Sequence, residues 1–310
     1  MSSLIAVACA RGGADALDAG SAEGGLSDAP ARDLASLDAD DAPTDAPNDA
    51  RVSLDACVGP ELACNLIDDD CDGTVDEQAP LGSFGCDAQT HGLSFSGTAQ
   101  QRVSIPSTPT LALSDGPMTI EAWIKLGASA NNYATIITST SGATNGFSLA
   151  VCLTTACDGD NIQFRQADQT VSPDVGMVRF ADGAWHHIAI VRNGSSVLFY
   201  KDSALVWNFV TASRDVNTAA GVFLGWSGLD AAASSFAGVM HSVRVWNEAR
   251  STEQIRLSFM GYAPESAPLA EWSLDEGTGV VVADSVGLRN GVLGFSASVE
   301  SNDPVWVAVP

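Results

Sequence analysis

The apolar bulk of this chain is confined to its C-terminal part, and this distribution decides where a folded core can form. All 7 Trp, all 3 Tyr and 10 of the 11 Phe lie between residues 88 and 310 of the 310-residue sequence. The preceding residues contain a single aromatic side chain, Phe84. Because a core needs large apolar side chains, the sequence predicts one folded domain at 88–310.

Short strand patterns separated by turn signals run through this C-terminal part. Residues 119–125 form a β-rich apolar run. Further strands are predicted at 185–191, 197–200, 222–226, 239–246, 269–274 and 280–283. The dipeptide Asn193-Gly194 joins two of them and predicts a hairpin with a type I′ turn. Many short strands and one short helix indicate a β-sandwich.

The one helix is predicted to begin after Ser251. Ser251 is suited to be the N-cap, and Gln254 completes a capping box three residues later. Ile255 and Phe259 are four residues apart and share one face of this helix. The helix is therefore expected to pack this apolar face against a sheet.

Five stretches of the C-terminal part resemble the laminin-G-like, concanavalin A-like jelly-roll family. They are residues 93–97, 118–125, 185–194, 236–247 and 272–279, in the family's order. The resemblance implies an all-β fold, a two-sheet antiparallel β-sandwich (concanavalin A-like, LamG-like jelly roll) with six to seven strands in each sheet. It also implies recognition of an extracellular glycan or protein. The full expected architecture adds a disordered acidic tail and a small disulfide-rich metal loop before the sandwich.

The charge of the chain is strongly acidic and unevenly placed. There are 14 Lys+Arg against 38 Asp+Glu, a net charge of −24, of which residues 1–87 carry −16 and residues 88–310 carry −8. Binding to nucleic acid or to an anionic lipid surface is disfavoured, because both need clustered basic side chains. Residues 10–55 are rich in Asp, Ala and Pro and lack a periodic apolar face, which predicts a disordered, extended tether.

The N-terminus indicates an extracytoplasmic location. Residues 1–9 are a short apolar run ending in small residues and Cys9, which resembles the end of a bacterial lipoprotein signal peptide. The resemblance implies lipidation of Cys9 and an outer-membrane lipoprotein, with secretion as the other possibility. The alternative is an unstructured N-terminus with an incidental cysteine. The sequence has no run of about 18 apolar residues, so contact with a membrane is expected only through the lipid anchor.

The odd number of cysteines agrees with such an anchor. If Cys9 is lipidated, six of the seven cysteines remain for three disulfides. The two that flank a short loop, Cys152 and Cys157, are expected to pair with each other. The other four are clustered, and their pairing is left open; they are Cys57, Cys64, Cys71 and Cys86. A zinc site formed by these four is the competing interpretation, although no Cys-x-x-Cys spacing occurs.

Residues 56–87 contain an acidic loop whose spacing suits a hard cation. Asp68, Asp70 and Asp72 alternate before Gly73, and alternate residues of a tight loop direct their oxygens inward. The Thr74 carbonyl would follow as a ligand, and Asp76 or Glu77 would complete the shell around calcium. Residues 64–77 are similar to a short metal-binding motif of bacterial surface proteins, departing from it at Leu66. The alternative is an acidic, disulfide-linked loop without metal.

No catalytic motif is evident, and the chain is predicted to be a non-catalytic binding module. His186 and His187 are adjacent on a strand and should face opposite ways. His241 is expected to be a packed histidine on the same face as Val239, Val243 and Val245. The carboxylates considered for a glycosidase are Glu121, Glu271, Asp275 and Glu276, and the aromatic residues considered as sugar platforms are Trp207, Trp226 and Trp246. The alternatives are a structural or adhesion protein without a small ligand and a divergent glycosidase of this fold.

Overall fold

A computed structural model of the chain describes most of the C-terminal part. The described residues are 90–98, 100–107, 111, 113–127, 133–139, 146–153, 160–172, 178–217, 220–228, 235–262, 264–287 and 289–309. The predicted tether, the cysteine-rich segment at 56–87, the acidic loop and Cys9 lie outside these residues. Those predictions, and the boundary at residue 88, stay predictions.

The described residues form sixteen strands and one helix. In chain order the strands are β1 (His91–Ser96), β2 (Val103–Ile105), β3 (Met118–Leu126), β4 (Tyr133–Ser139), β5 (Phe147–Cys152), β6 (Asn161–Gln166), β7 (Gln169–Val171), β8 (Trp185–Asn193), β9 (Ser196–Lys201), β10 (Ala204–Val210), β11 (Val222–Leu224), β12 (Ala237–Trp246), β13 (Ala270–Trp272), β14 (Val281–Val282), β15 (Gly291–Leu293) and β16 (Val305–Ala308). The helix, α1 (Thr252–Phe259), lies between β12 and β13.

The strands form two antiparallel sheets, which confirms the predicted sandwich. The first sheet has the order β10-β9-β8-β3-β12-β1-β16, with β13 beside β12. The second sheet has the order β14-β15-β2-β11-β4-β5-β6-β7. Each sheet therefore contains eight described strands, rather than the six to seven that the family resemblance implied.

The core lies between the two sheets and is built by the alternation of the strands. Ile120 and Ile190 of the first sheet and Leu149 and Phe164 of the second are 0% exposed in one apolar cluster. β3 and β8 are also buried on their other face, because α1 covers it: Ile255 packs with Ala189, Val191 and Tyr200. Burial on both faces explains why these two central strands have nearly continuous apolar sequences.

The predicted beginning of α1 is confirmed in detail. The Ser251 side chain accepts a hydrogen bond from the Gln254 backbone N–H, and the Gln254 side chain accepts one from the Ser251 N–H. Ile255 is fully buried, and Phe259 packs against Trp123 and Trp185. Both predicted apolar positions therefore face the first sheet.

The predicted hairpin is present, but its turn differs from the prediction. Asn193 pairs with Ser196, so the two central residues are Gly194 and Ser195. Gly194 has a φ of 56°, whereas Ser195 is not among the residues with positive φ. A type I′ turn requires positive φ at both central positions, so that prediction is wrong.

His241 shares the outer face with Val239, as predicted, but not with Val243 and Val245, because β12 contains an irregularity. The register between β12 and β3 shifts between His241 and Arg244, and Ser242 has a φ of 48°. The shift turns Val243 and Val245 into the core while His241 lies on the opposite, outer face, in edge-to-face contact with Trp185. His241 is packed, as predicted, and is 0% exposed.

Cys152 ends β5 and is buried and disulfide-bonded. Cys157, its predicted partner, lies outside the described residues, so the pairing itself stays a prediction. Within the part of the chain that the structure describes, no helix has the length and apolar character that crossing a membrane requires.

Candidate functional site

Three neighbouring strands of the second sheet bring an arginine and three aromatic rings together. Arg102 directly precedes β2, Phe223 and Trp226 come from β11 and the turn after it, and Phe295 follows β15. Phe223 lies opposite Ser104, and Ser104 lies opposite Val292, so these strands are side by side. We call the four residues Arg102, Phe223, Trp226 and Phe295 the aromatic platform.

The guanidinium group of Arg102 lies between two of the rings. Its Cζ atom is 3.8 Å from the ring centroid of Trp226 and 3.5 Å from that of Phe295. The Phe223 ring meets Trp226 edge to face, with centroids 5.0 Å apart. Arg102 is only 4% exposed, whereas Phe295 is 52% exposed. The buried cation therefore fixes an aromatic surface that remains accessible to solvent.

Phe295 is held in place by the loop that follows β15. The Gly294 N–H donates to the Arg102 carbonyl over 2.8 Å, and the Ser104 hydroxyl donates to the Gly294 carbonyl over 2.6 Å. Gly294 has a φ of +65°, and a Cβ atom there would collide with the Asp303 carboxylate. A glycine is needed at this position for both reasons.

Two carboxylates close this loop on itself. The Glu300 carboxylate accepts hydrogen bonds from the Phe295 N–H and the Ser296 hydroxyl, at 3.3 and 2.7 Å. The Asp303 carboxylate accepts one from the Glu300 N–H at 2.8 Å. These acidic groups thus position the exposed ring through the backbone of the loop.

A row of polar side chains extends from the platform across the second sheet. Ser104 and Phe223 are in register with one polar side chain on each of the next four strands. These are Thr138 of β4, Ser148 of β5, Arg165 of β6 and Thr170 of β7. Because neighbouring strands are about 4.8 Å apart, the row from Ser104 to Thr170 covers roughly 24 Å. We call these side chains the polar row. Apart from Thr138, which is buried, they are partly or fully exposed.

Rings beside hydroxyl and guanidinium groups can bind a ligand that is apolar on one side and hydroxylated on the other. The exposed Phe295 ring offers a flat apolar surface, and the more accessible members of the polar row, Ser148, Arg165 and Thr170, offer donors and acceptors on three successive strands. This combination is suited to a sugar chain, whose ring faces carry C–H groups and whose edges carry hydroxyls.

A second polar cluster lies buried between α1 and the first sheet. Glu121 Oε1 is 2.6 Å from Arg250 Nη1, Glu121 Oε2 is 3.4 Å from His187 Nε2, and Arg250 also bonds the Ser258 hydroxyl. Burial raises the pKa of Glu121, but His187 and the Arg250 charge outweigh burial and hold this pKa below its ordinary value. Glu121 and His187 are 1% and 2% exposed, so neither can reach a substrate in solution.

The adjacent histidines lie on opposite faces of β8, as predicted. His187 packs against Trp123 and Phe259 on the outer face, whereas the ring of His186 meets Phe180 of the core edge to face. His186 contacts two carboxylates, Asp202 at 2.8 Å and Asp182 at 3.1 Å. Burial lowers the pKa of His186, but these carboxylates outweigh burial and raise the pKa above its ordinary value.

The other carboxylates considered for catalysis are each engaged within the fold. Glu271 is 2.5 Å from Arg244 and accepts a hydrogen bond from Ser285. Asp275 accepts from the backbone N–H groups of residues 90 and 91, and Glu276 accepts from that of Ala283. None of them belongs to the platform or the polar row. Among the described residues, no three His, Cys, Asp or Glu side chains are grouped to hold a metal ion.

Of the three tryptophans considered as sugar platforms, the structure places one beside the exposed Phe295. Trp246 is 1% exposed and stacks under the Arg250 guanidinium, so it is a core residue. Trp207 packs against the core between the sheets. Trp226 belongs to the platform.

Sequence reasoning missed the other three platform residues, Arg102, Phe223 and Phe295. A signal was present for Phe295, because this aromatic residue directly follows a glycine and precedes a serine-rich segment, where no strand could bury it.

The sequence and the fold agree on one family. A laminin G-type model, described as the concanavalin A-like lectin/glucanases superfamily, matches residues 96–256, just over half of the chain. The chain belongs to this superfamily. Its name covers both lectins and glucanases, so membership alone leaves open whether the site binds or cleaves. No curated protein matches the chain.

Solved structures similar to this chain share its fold at low sequence identity. A suspected carbohydrate-binding protein from Bacteroides ovatus has a TM-score of 0.54 and 20% identity; the match covers 70% of this chain and 61% of that one. The chain thus spans under two thirds of that protein's length. A heptameric SAP-like pentraxin from Limulus polyphemus has a TM-score of 0.45 at 15% identity, with 69% and 99% covered. Domain 4 of a GH43 extracellular arabinanase from Geobacillus stearothermophilus, in complex with arabinotriose, has a TM-score of 0.42 at 15% identity, with 54% and 75% covered.

Proposed function

We propose that the chain is a non-catalytic glycan-binding module whose binding surface is the aromatic platform with the polar row. The observation that carries this proposal is the exposed Phe295 ring, held by Arg102 at one end of a cross-strand row of polar side chains. The superfamily, which includes lectins, and the suspected carbohydrate binding of the Bacteroides ovatus protein of the same fold support it.

Binding without cleavage is the part of the proposal that rests on the carboxylates. A retaining glycosidase needs two carboxyl groups about 5–5.5 Å apart and open to the substrate. Glu121 is buried, and Glu271, Asp275 and Glu276 hold fold contacts away from the platform. The polar row itself contains no carboxylate.

The proposal extends to how the module is presented. Lipidation of Cys9 would anchor the chain in the bacterial outer membrane, and the acidic residues 10–55 would hold the sandwich away from that surface. The loop with Asp68, Asp70 and Asp72 would bind calcium. The sequence patterns alone support these three statements, since the residues lie outside the described part of the chain.

The binding surface is tested with the full chain on an array of plant and bacterial polysaccharides, followed by calorimetric titration of the best ligand. Replacing Phe295 by Ala is expected to weaken binding about tenfold or more, which corresponds to about 1.4 kcal/mol of lost stacking. Val299 lies in the same loop and is 85% exposed, so Val299→Ala is the matched control and should bind normally.

Three outcomes would count against the proposal. A silent array would favour a structural or adhesion protein without a small ligand. Equal binding by Phe295→Ala and wild type would place the glycan elsewhere on the molecule. Release of reducing sugar from the bound polysaccharide would make the protein a glycosidase of this fold.

A further inference from the structure

An asparagine followed by glycine is chemically reactive, and the fold decides whether such a pair can react. The sequence contains three Asn-Gly pairs, and the structure describes both residues of two of them, Asn193-Gly194 and Asn290-Gly291. The backbone nitrogen of the glycine can attack the side-chain carbonyl carbon of the asparagine, since the two groups belong to one short segment and no Cβ atom hinders their approach. The two pairs share this chemistry but differ in their surroundings.

The Asn193-Gly194 pair is open in the structure. Both residues are exposed at the turn between β8 and β9, and a Cβ atom on Gly194 would meet no other atom within 4 Å. Within the described part of the chain, neither the Asn193 side chain nor the Gly194 N–H takes part in a hydrogen bond. The Asn193 amide can therefore rotate towards the Gly194 nitrogen without breaking a contact.

The Asn290-Gly291 pair is held by the fold. Asn290 Oδ1 accepts a hydrogen bond from the Asp284 N–H over 2.9 Å. Gly291 begins β15 opposite Val282, and a Cβ atom on it would lie 2.7 Å from the nearest atom of the Val103 side chain. The attack within this pair has to wait until the strand opens locally, so Asn290 is protected.

We propose that Asn193 is a site of self-modification, which the native fold leaves free to convert to isoaspartate and aspartate. Hydroxide removes the proton of the Gly194 nitrogen, and this nitrogen attacks Asn193 Cγ and forms a C–N bond. The bond from Cγ to Nδ2 breaks, and Nδ2 leaves as ammonia after it takes a proton from water. A water molecule then opens the cyclic succinimide. The net reaction consumes one water and releases one ammonia, without oxidation or reduction.

The product changes the contacts of this turn. Opening of the succinimide at the main-chain carbonyl gives isoaspartate, which lengthens the main chain by one methylene group. Two groups after β10 brace the turn: the Ser213 hydroxyl donates to the Gly194 carbonyl, and the Thr211 N–H donates to the Ser195 carbonyl over 2.7 Å. A longer turn displaces both acceptor carbonyls, so isoaspartate at position 193 loosens residues 211–213.

Ageing of the full chain at mildly alkaline pH, followed by peptide mapping with mass spectrometry, tests the site. In the native chain Asn193 should convert about tenfold or more faster than Asn290, because only Asn290 has to wait for local opening. In the guanidinium-unfolded chain the two rates should lie within about threefold of each other, because both asparagines precede glycine and the fold no longer separates them.

The matched variants are Asn193→Gln and Asn290→Gln, in which the side-chain carbonyl is one methylene group farther from the glycine nitrogen. Asn193→Gln should remove the product at position 193 and leave the conversion of Asn290 unchanged, whereas Asn290→Gln should leave the product at position 193. The isoaspartate form, separated by ion exchange through its added charge, should show faster hydrogen exchange at the Thr211 amide than the unmodified chain.

Equal rates for Asn193 and Asn290 in the native chain would overturn the proposal. A native Asn193 that converts about tenfold more slowly than in the unfolded chain would do so as well, because the fold would then protect this pair. Unchanged hydrogen exchange at Thr211 in the isoaspartate form would overturn the proposed loosening of residues 211–213.

Discussion

Single residues beneath α1 show how a charge can be kept inside an apolar layer. Glu121 is 1% exposed, and its contacts with Arg250 and His187 hold its pKa below the ordinary value despite this burial. Arg250 in turn stacks over Trp246 and bonds Ser258 of the helix. These contacts join β3, β8, β12 and α1, so one buried group links four elements.

Removing the charge of Glu121 should therefore be costly. Glu121→Gln keeps the size of the side chain but leaves the Arg250 guanidinium buried without a counter-ion, and we expect a loss of about 3–5 kcal/mol in the free energy of unfolding. Urea unfolding of the full chain measures it. Glu253→Gln is the matched control, because Glu253 pairs with Arg256 on the exposed face of the same helix and should change stability little. Equal losses in both variants would contradict a special role for the buried pair.

His241 should make the protein sensitive to acid. Burial and, to a smaller extent, the Arg244 charge lower the pKa of His241 from an ordinary value of 6.5 to about 3, although the Asp275 charge acts in the opposite direction. The unfolded chain therefore binds a proton at His241 at a higher pH than the folded chain does. The contribution of neutral His241 to the free energy of unfolding is therefore fully present above pH 6.5. It is lost as the pH falls from 6.5 towards 3, by at most about 1.4 kcal/mol per pH unit.

The variant His241→Leu isolates this effect. Its melting temperature should fall less than that of the wild type between pH 6.5 and 5, a range in which most carboxylates remain ionised. His186 acts in the opposite direction, because its raised pKa contributes stability below pH 6.5 that is lost as the pH rises through the folded value. Identical acid sensitivity in His241→Leu and wild type would show that His241 is not the group responsible.

At the scale of elements, local signals predicted local structure well. The capping box at Ser251 and Gln254 needs only four consecutive residues, and the structure has it as predicted. The strand patterns located β3, β8, β9 and β12 within a few residues. The predictions for the turn after Asn193 and for Val243 and Val245 sharing a face with His241 were wrong because each depends on the register against a neighbouring strand, which the sequence of one strand does not contain.

The aromatic platform could not be predicted from the sequence, because it too depends on which strands are neighbours in the sheet. Its residues are Arg102, Phe223, Trp226 and Phe295, which are separated by up to 193 positions and meet only because β15, β2 and β11 are neighbours. The order of strands in a jelly roll is set by packing of the whole sandwich, and no local pattern encodes it. The sequence indicated Trp226 as a candidate aromatic residue. Its partners Arg102, Phe223 and Phe295 could be identified only from the order of strands in the sheet.

The whole molecule combines parts with different charge. Residues 1–87 carry −16 and hold every proposed calcium ligand, while the sandwich carries −8 and holds the proposed glycan surface. The platform and the polar row supply rings, hydroxyls and guanidinium groups, and the nearby Glu300 and Asp303 are bonded within their own loop. The proposed calcium ligands and the proposed glycan surface therefore come from separate segments of the sequence.

This separation gives a prediction for the full-length protein. Chelation of divalent cations should leave glycan affinity within about twofold, because none of the groups at the platform is a typical calcium ligand. Calcium titration of the same protein should show binding that the double variant Asp70→Asn/Asp72→Asn removes, again with unchanged glycan affinity. The converse control is Phe295→Ala, which should bind calcium normally. If chelation abolishes glycan binding while the protein stays folded, the cation lies at the glycan site, and the platform alone does not account for recognition.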